Sequence, residues 1–193
     1  MSPRPRSTSD ETILAAAARV IWRVGPELTL ADVGEEAGVS AAGLVQRFGS
    51  KRGLLLALAE QTAAEAPGHF AAARELYASA LDTLLHALAA IAREIDTPDA
   101  LANYLAFQHI HLGIPEFHAC ALLQARTTLA EIRTLLEEAM ESGELAECDP
   151  DDLSRTVQTA YTGALSTWAV YRSGTLDDWL RGEVEAVLEP YRP

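Results

Sequence analysis

Residues 29–51 read TLADVGEEAGVSAAGLVQRFGSK, and the fold turns on this stretch. Thr29 followed three residues later by Asp32 is a helix-start signal, and Leu30, Val33 and Ala37 fall on one face of the short helix it opens. Gly38 suits a left-handed cap at the end of that helix. Val39 can plug the angle between two helices, and Ser40 caps the next one, which runs to about Phe48. Gly49-Ser50 closes it, and Ser50 caps a further helix that begins at Lys51. Short helix, tight glycine turn, short helix is the sequence form of a helix-turn-helix, a form that a generic helical hairpin shares.

Upstream, Thr8-Ser9-Asp10-Glu11 has the form of a capping box. Ile13, Leu14, Ala17, Val20, Ile21 and Val24 then recur at helical spacing until Gly25-Pro26. Ahead of this helix Arg4 and Arg6 lie on a Ser/Pro-rich arm, either a minor-groove contact or a solvated tail. Downstream, Pro67-Gly68 marks an expected break. Tyr77, Leu81, Leu84, Leu88, Ile91 and Ile95 then trace one buried stripe. Thr97-Pro98 and Asp149-Pro150 are caps followed by proline at the first helical position. Gly113-Ile114-Pro115 interrupts the chain between them. Leu122, Leu129, Ile132, Leu136 and Met140 continue a long helix to Ser142-Gly143, and Ser173-Gly174-Thr175 separates the last two helices. The expectation is an all-α chain of about nine helices, with a three-helix unit in residues 1–53 and a larger helical unit in residues 54–193.

Of the 193 residues, 49% are apolar, enough to build a core and to set disorder aside. The net charge of −13 argues at first against nucleic acid. Its distribution reverses that reading. Residues 1–53 carry seven basic and six acidic side chains, the remainder eight basic and twenty-two acidic. Only the N-terminal quarter would tolerate phosphates. Two cysteines, Cys120 and Cys148, have no metal-binding or disulfide-framework spacing. The longest uncharged stretches, Ala100–Pro115 and Thr156–Tyr171, are too short to span a bilayer. With no secretory signal at the start, a soluble cytoplasmic protein is expected. No cofactor is expected either. His109 and His111 are two apart, so they do not share a helix face and are not read as a metal pair.

From Ile13 to Leu58 the chain resembles the tetracycline-repressor (TetR) family of bacterial transcriptional regulators. The residues that carry this are 30–40, then Leu44, Phe48-Gly49-Ser50-Lys51 and Leu54-Leu55. The resemblance implies that Ala41 to Arg47 face the major groove, Ala42, Gly43, Val45 and Gln46 among them. It also implies phosphate contacts from Thr29 and Lys51. Gln46 and Arg47 can bond base edges, although Arg47 also fits a phosphate contact or a solvated charge, and Thr29 and Ser40 serve as caps in any case. The sequence departs from the family at Val45, where a tyrosine usually reaches a phosphate, and at Gly43, an interior glycine that costs a helix about 1 kcal/mol against alanine.

A single recognition helix reads too few base pairs to select one site in a genome, so a homodimer on a palindromic double-stranded DNA operator is expected. Ala160, Gly163, Ala164, Thr167, Trp168, Leu176, Trp179, Leu180 and Val184, on the last two helices, are the candidate interface. Burial of those helices within one subunit is the alternative. His86, Tyr104, Gln108 and His111 are candidate polar groups of a mostly apolar pocket for a small-molecule effector. The function expected is a ligand-responsive repressor with no membrane contact. The competing reading is a helical ligand-binding protein that has lost specific DNA recognition. An enzyme is not expected, because no nucleophile–base arrangement, phosphate-cradling loop or zinc spacing is visible.

Overall fold

Capping oxygens set nearly every helix start. This computed structural model describes residues 8–193, so the Arg4 and Arg6 arm lies outside the described residues. Among those residues the chain forms nine α-helices and no strand: α1 (Asp10–Val24), α2 (Leu30–Ala37), α3 (Ala41–Phe48), α4 (Lys51–Leu76), α5 (Ala80–Ile91), α6 (Pro98–His111), α7 (Pro115–Glu141), α8 (Pro150–Tyr171) and α9 (Leu176–Leu188). Short 3-10 turns occupy Gly25–Glu27 and Glu189–Tyr191. The side chains of Thr29, Ser40, Ser50, Thr97 and Asp149 each accept a first-turn N–H, as their spacing implied, and Thr175, which the sequence marked only as part of a separator, does the same for α9. At α1 the cap is Ser9 rather than Thr8, its hydroxyl accepting from the Thr12 N–H at 3.2 Å.

Two expected boundaries move. Pro67 does not break α4, which continues through it to Leu76. An interior proline costs about 3 kcal/mol, but Ala63, Ala66, Phe70 and Ala73 bury on both sides of it. Tertiary packing outweighs the missing hydrogen bond. The stripe from Tyr77 to Ile95 is likewise not one helix. Tyr77 ends α4, Ser79 caps α5, and Ile95 lies beyond the last turn of α5.

Two apolar clusters organise the chain. The first joins Ile13, Leu14, Val20 and Leu28 to Val33, Leu44, Leu54 and Leu55, and takes in Phe107 and Phe117 from α6 and α7. The second runs through the later part of α4 and α5 to α9, around Phe70, Leu84, Leu88, Ile132, Leu135, Leu136 and Leu180. Each fully buried leucine here stabilises the fold by about 1.5–3 kcal/mol. Helix α4 crosses the expected 53/54 division, its first turns in one cluster and its later turns in the other. Among the described residues no helix is long and apolar enough to cross a membrane.

Glu144, in the turn after α7, closes the start of α5. Its carboxylate accepts from the Ser79 hydroxyl, the Ala80 N–H (3.0 Å), the Leu81 N–H (3.3 Å) and the Ser142 hydroxyl (3.0 Å). Burial alone would raise its pKa; the hydrogen bonds outweigh burial and hold it below the ordinary 4.5. A group more acidic when folded contributes fully above its unfolded value and loses that contribution as pH falls through the folded one. Glu144→Gln is therefore expected to lower stability by about 1 kcal/mol at pH 7. In urea titrations across pH the deficit should shrink below pH 4.5. A deficit independent of pH would show that shape, not charge, matters there.

Candidate nucleic-acid interface

The turn between α2 and α3 needs glycine at two positions. Gly38 adopts φ 68°, the left-handed region, and its N–H returns to the Glu35 and Gly34 carbonyls. A Cβ on Gly34 would stand 2.6 Å from the Val39 carbonyl oxygen, so the tight approach of α2 to the turn excludes any side chain there. Leu44, fully buried, pins α3 against this frame. Arg19 and Arg23 of α1 both reach Glu36 of α2, at 2.8 and 3.3 Å, which fixes the angle between these helices. The Arg19 hydrogen bond is the main reason that the Glu36 carboxyl sits below its ordinary range.

Thr29 is exposed and closes a full capping box: its N–H and hydroxyl both donate to Asp32, each at 2.7 Å, and its hydroxyl accepts the Asp32 N–H. Ser40 caps α3 through the Gly43 N–H at 3.0 Å. Ala41, Ala42, Val45 and Gln46 are exposed, and Lys51 opens α4 just beyond the Gly49-Ser50 turn. Arg47 is exposed as well and Gly43 is half-buried, and both border α1. Together with Thr8, Ile13 and Val39 they line a small groove of about 140 Å³ between α1 and α3. Arg47 Nη1 donates to the Thr8 carbonyl and lies 3.3 Å from the Asp10 carboxylate, so this guanidinium fastens α3 to the start of α1. Nothing in the local spacing of Arg47 foretold partners so far away in sequence.

The candidate pocket residues do not all meet. Tyr104 and Gln108 are joined on α6, the Gln108 amide donating to the Tyr104 hydroxyl at 2.6 Å. Tyr161 of α8 adds a group that the sequence reading did not single out. Its hydroxyl is buried with no hydrogen-bond partner, and burial pushes its pKa far up. The nearby Tyr104 adds to that rise. A tyrosine in the uncharged Thr156–Tyr171 run was the available signal. His111 packs between Phe107 and Phe117, ring centroids 4.2 and 4.8 Å away, and its Nδ1 lies 2.7 Å from the Phe107 carbonyl. His109 makes the same kind of contact with the Leu105 carbonyl at 2.7 Å. His86 takes its partners elsewhere, stacking on Tyr77 at 3.8 Å and touching Arg181 of α9. Burial, reinforced by the Arg181 guanidinium, holds its pKa below the ordinary histidine value.

The expected dimer face divides in two. Ala164, Trp168, Leu176, Leu180 and Val184 are buried in this chain's own core, because α9 lays its apolar stripe on α5 and α8. Those five side chains are not available to a second subunit. Gly163 and Thr167 are exposed, Ala160 and Trp179 are half-buried, and Val170 and Tyr171 beside them are 77% and 68% exposed. Trp179 Nε1 donates to the Thr167 hydroxyl at 3.3 Å, and its ring lies 5.6 Å from that of Tyr171. The outward surface of α8 and α9 is thus set by small, hydroxyl and aromatic groups.

Residues 13–58 match the sequence family described as bacterial regulatory proteins, tetR family. The fold as a whole is that of solved TetR-family regulators. A putative TetR-family transcriptional regulator from Rhodococcus sp. is 24% identical, with a TM-score of 0.67 over 93% of this chain and 97% of that one. A TetR transcription regulator from Haloarcula marismortui is 15% identical, with a TM-score of 0.78 over 95% and 98%. A TetR-family regulator from Agrobacterium tumefaciens is 18% identical, with a TM-score of 0.76 over 98% and 100%. No curated protein matches the chain in sequence.

An orphaned hydroxyl in an apolar core costs about 1–3 kcal/mol. Tyr161→Phe is accordingly expected to raise the unfolding free energy by about 1 kcal/mol in urea titrations. A loss of stability instead would show that the hydroxyl finds a partner in solution.

Proposed function

We propose, from a tetR-family DNA-binding segment carried on the fold of that family's solved regulators, that this chain is a ligand-responsive transcriptional repressor acting as a homodimer on a palindromic operator. One observation carries the reading: from Ala37 to Ala59, spanning the turn and all of α3, there are three basic residues and no acidic one, in a chain of net charge −13. A turn and recognition helix free of acid suit a polyanion. Lys51 at the start of α4 would hold a phosphate beside α3, positioning it without reading sequence, whereas Thr29 at the start of α2 could do so only by releasing the donors it gives to Asp32.

Residues 1–53 form the DNA-binding unit in this reading, and residues 54–193 the sensing and dimerising unit. The dimer forms through the outward face of α8 and α9 around Gly163, Thr167, Val170, Tyr171 and Trp179. The effector is a mostly apolar small molecule with a polar group for Tyr104, Gln108 and the unpartnered Tyr161 hydroxyl. Its binding would reach DNA through α6. Asn103, next to Tyr104, donates to the Trp22 and Arg23 carbonyls at the end of α1. An effector that favours one position of α6 shifts DNA affinity only by its difference in affinity for the two states, typically about 1–3 kcal/mol. The chain is not read as an enzyme, and its place is the cytoplasm.

The test is fluorescence anisotropy of the purified protein with duplex DNA from upstream of its own gene and with a random duplex, from 50 to 200 mM salt. Preferential, salt-dependent binding by a dimer is expected. Lys51→Ala should weaken binding to both duplexes alike and reduce the salt slope by about 1. Salt-insensitive behaviour, with no preference for any duplex selected from a random pool, would overturn the reading in favour of a binding protein without DNA recognition.

A further inference from the structure

Helix α3 spans eight residues, and its rotation is fixed by Leu44, which is fully buried. At about 100° per residue, Ala42 and Gln46 fall on the side opposite Leu44, four residues apart and stacked on one face. Val45 lies on one flank of that face and is 44% exposed, although a valine gains nothing from water. Gly43 and Arg47 lie on the other flank, against α1. The forward surface of α3 therefore offers one carboxamide and two methyl-bearing side chains.

Each base edge in the major groove demands different chemistry. Guanine O6 and N7 want two donors from Arg or Lys. The one arginine on α3 is drawn toward α1, its Nη1 shared between the Thr8 carbonyl and the Asp10 carboxylate, and Lys51 sits past the turn, at the start of α4. Cytosine N4 wants a carboxylate, and Ala37 to Ala59 contains none. A glutamine carboxamide, with a donor beside an acceptor, matches adenine N6 and N7. Alanine and valine methyls match the C5-methyl of thymine.

We infer that the operator half-site is read through A·T pairs, with Gln46 on an adenine and Ala42 and Val45 against thymine methyl groups. This rests on the regulator reading above and adds what that regulator recognises. Arg47 then acts as a positioning residue, holding α3 against α1 rather than selecting a base.

The experiment has two stages. Duplexes are first selected from a random-sequence pool with the full-length protein. Thymines of the selected half-site are then replaced one at a time by uracil, which removes only the methyl and leaves the protein untouched. The selected core is expected to be A·T, and each contacted methyl should cost about fourfold in Kd on removal. Val45→Ala, at an exposed position, withdraws two methyl groups and should reduce the uracil penalty at one thymine while keeping it elsewhere. Gln46→Ala should lose about tenfold or more of the preference for one adenine. A G·C core, or selected duplexes indifferent to uracil, would overturn this inference and leave the regulator intact. Failure to enrich any duplex over the starting pool at every salt concentration would instead overturn the regulator reading, and this inference with it.

Discussion

The Asn103 carboxamide donates to two carbonyl oxygens at once, Trp22 at 2.9 Å and Arg23 at 3.0 Å. Those carbonyls belong to the last turn of α1, where a helix has acceptors and no partners of its own. A side chain from α6 supplies what the helix cannot. Gly25, at φ 62°, lets the chain turn away directly under that side chain, and a Cβ there would come within 3.2 Å of Asn103 Oδ1. The end of α1, the turn after it and α6 are therefore built as one joint. The orientation of the N-terminal helices on the larger helical body follows from that joint.

Other groups across the same boundary contribute unequally. Phe107 and Phe117 enter the N-terminal cluster from α6 and α7, and Tyr104 packs against both clusters. Burial of those rings contributes most, since a buried aromatic stabilises by some 1.5–3 kcal/mol. Arg52 pairs with Glu116 at 2.7 Å, but both side chains are more than half exposed, and pairs of that kind contribute at most about 1 kcal/mol. Helix α6, which carries Tyr104 and packs on α1, is the direct link between them. Its own sequence is nearly uncharged because it faces apolar neighbours on two sides.

What was legible in the sequence was local. Thr29 with Asp32, the Gly38 turn, Ser40 and the Thr97-Pro98 and Asp149-Pro150 starts each depend on residues within one helical turn, and the structure places them where their spacing said. What failed depended on distant partners. Pro67 is tolerated because α4 is packed on α5 and α7, a fact that no window around Pro67 contains. The stripe through Tyr77 looked continuous because periodicity cannot register Glu144, which arrives from the end of α7 to close α5. The apolar residues of α9 read equally well as a dimer face or as core, and the chain spends Leu176, Leu180 and Val184 on its own core. His86 and Tyr104 looked equivalent as polar residues in apolar helices, yet one stacks on Tyr77 and the other pairs with Gln108.

The acidic balance and the proposed polyanionic partner are reconciled by distance. At physiological salt the field of an exposed charge fades over about 8 Å, so a net charge of −13 matters at a surface only where its carboxylates are close. Glu36 is the carboxylate of α2 nearest the turn, and two arginines of α1 already neutralise it. Asp32 is occupied by Thr29, whose hydrogen bonds hold its carboxyl below the ordinary range. Arg19, Arg23 and Arg47 are therefore engaged within the chain, and Lys51 and Arg52 remain at the edge of α3, with Arg52 paired on its other side. Residues 1–53 stay near neutral because seven basic and six acidic side chains nearly balance, with Glu36 paired and Glu35 exposed beside it. On the proposed reading, such a surface would bind nonspecific phosphate only weakly and leave the choice of site to the outward side chains of α3.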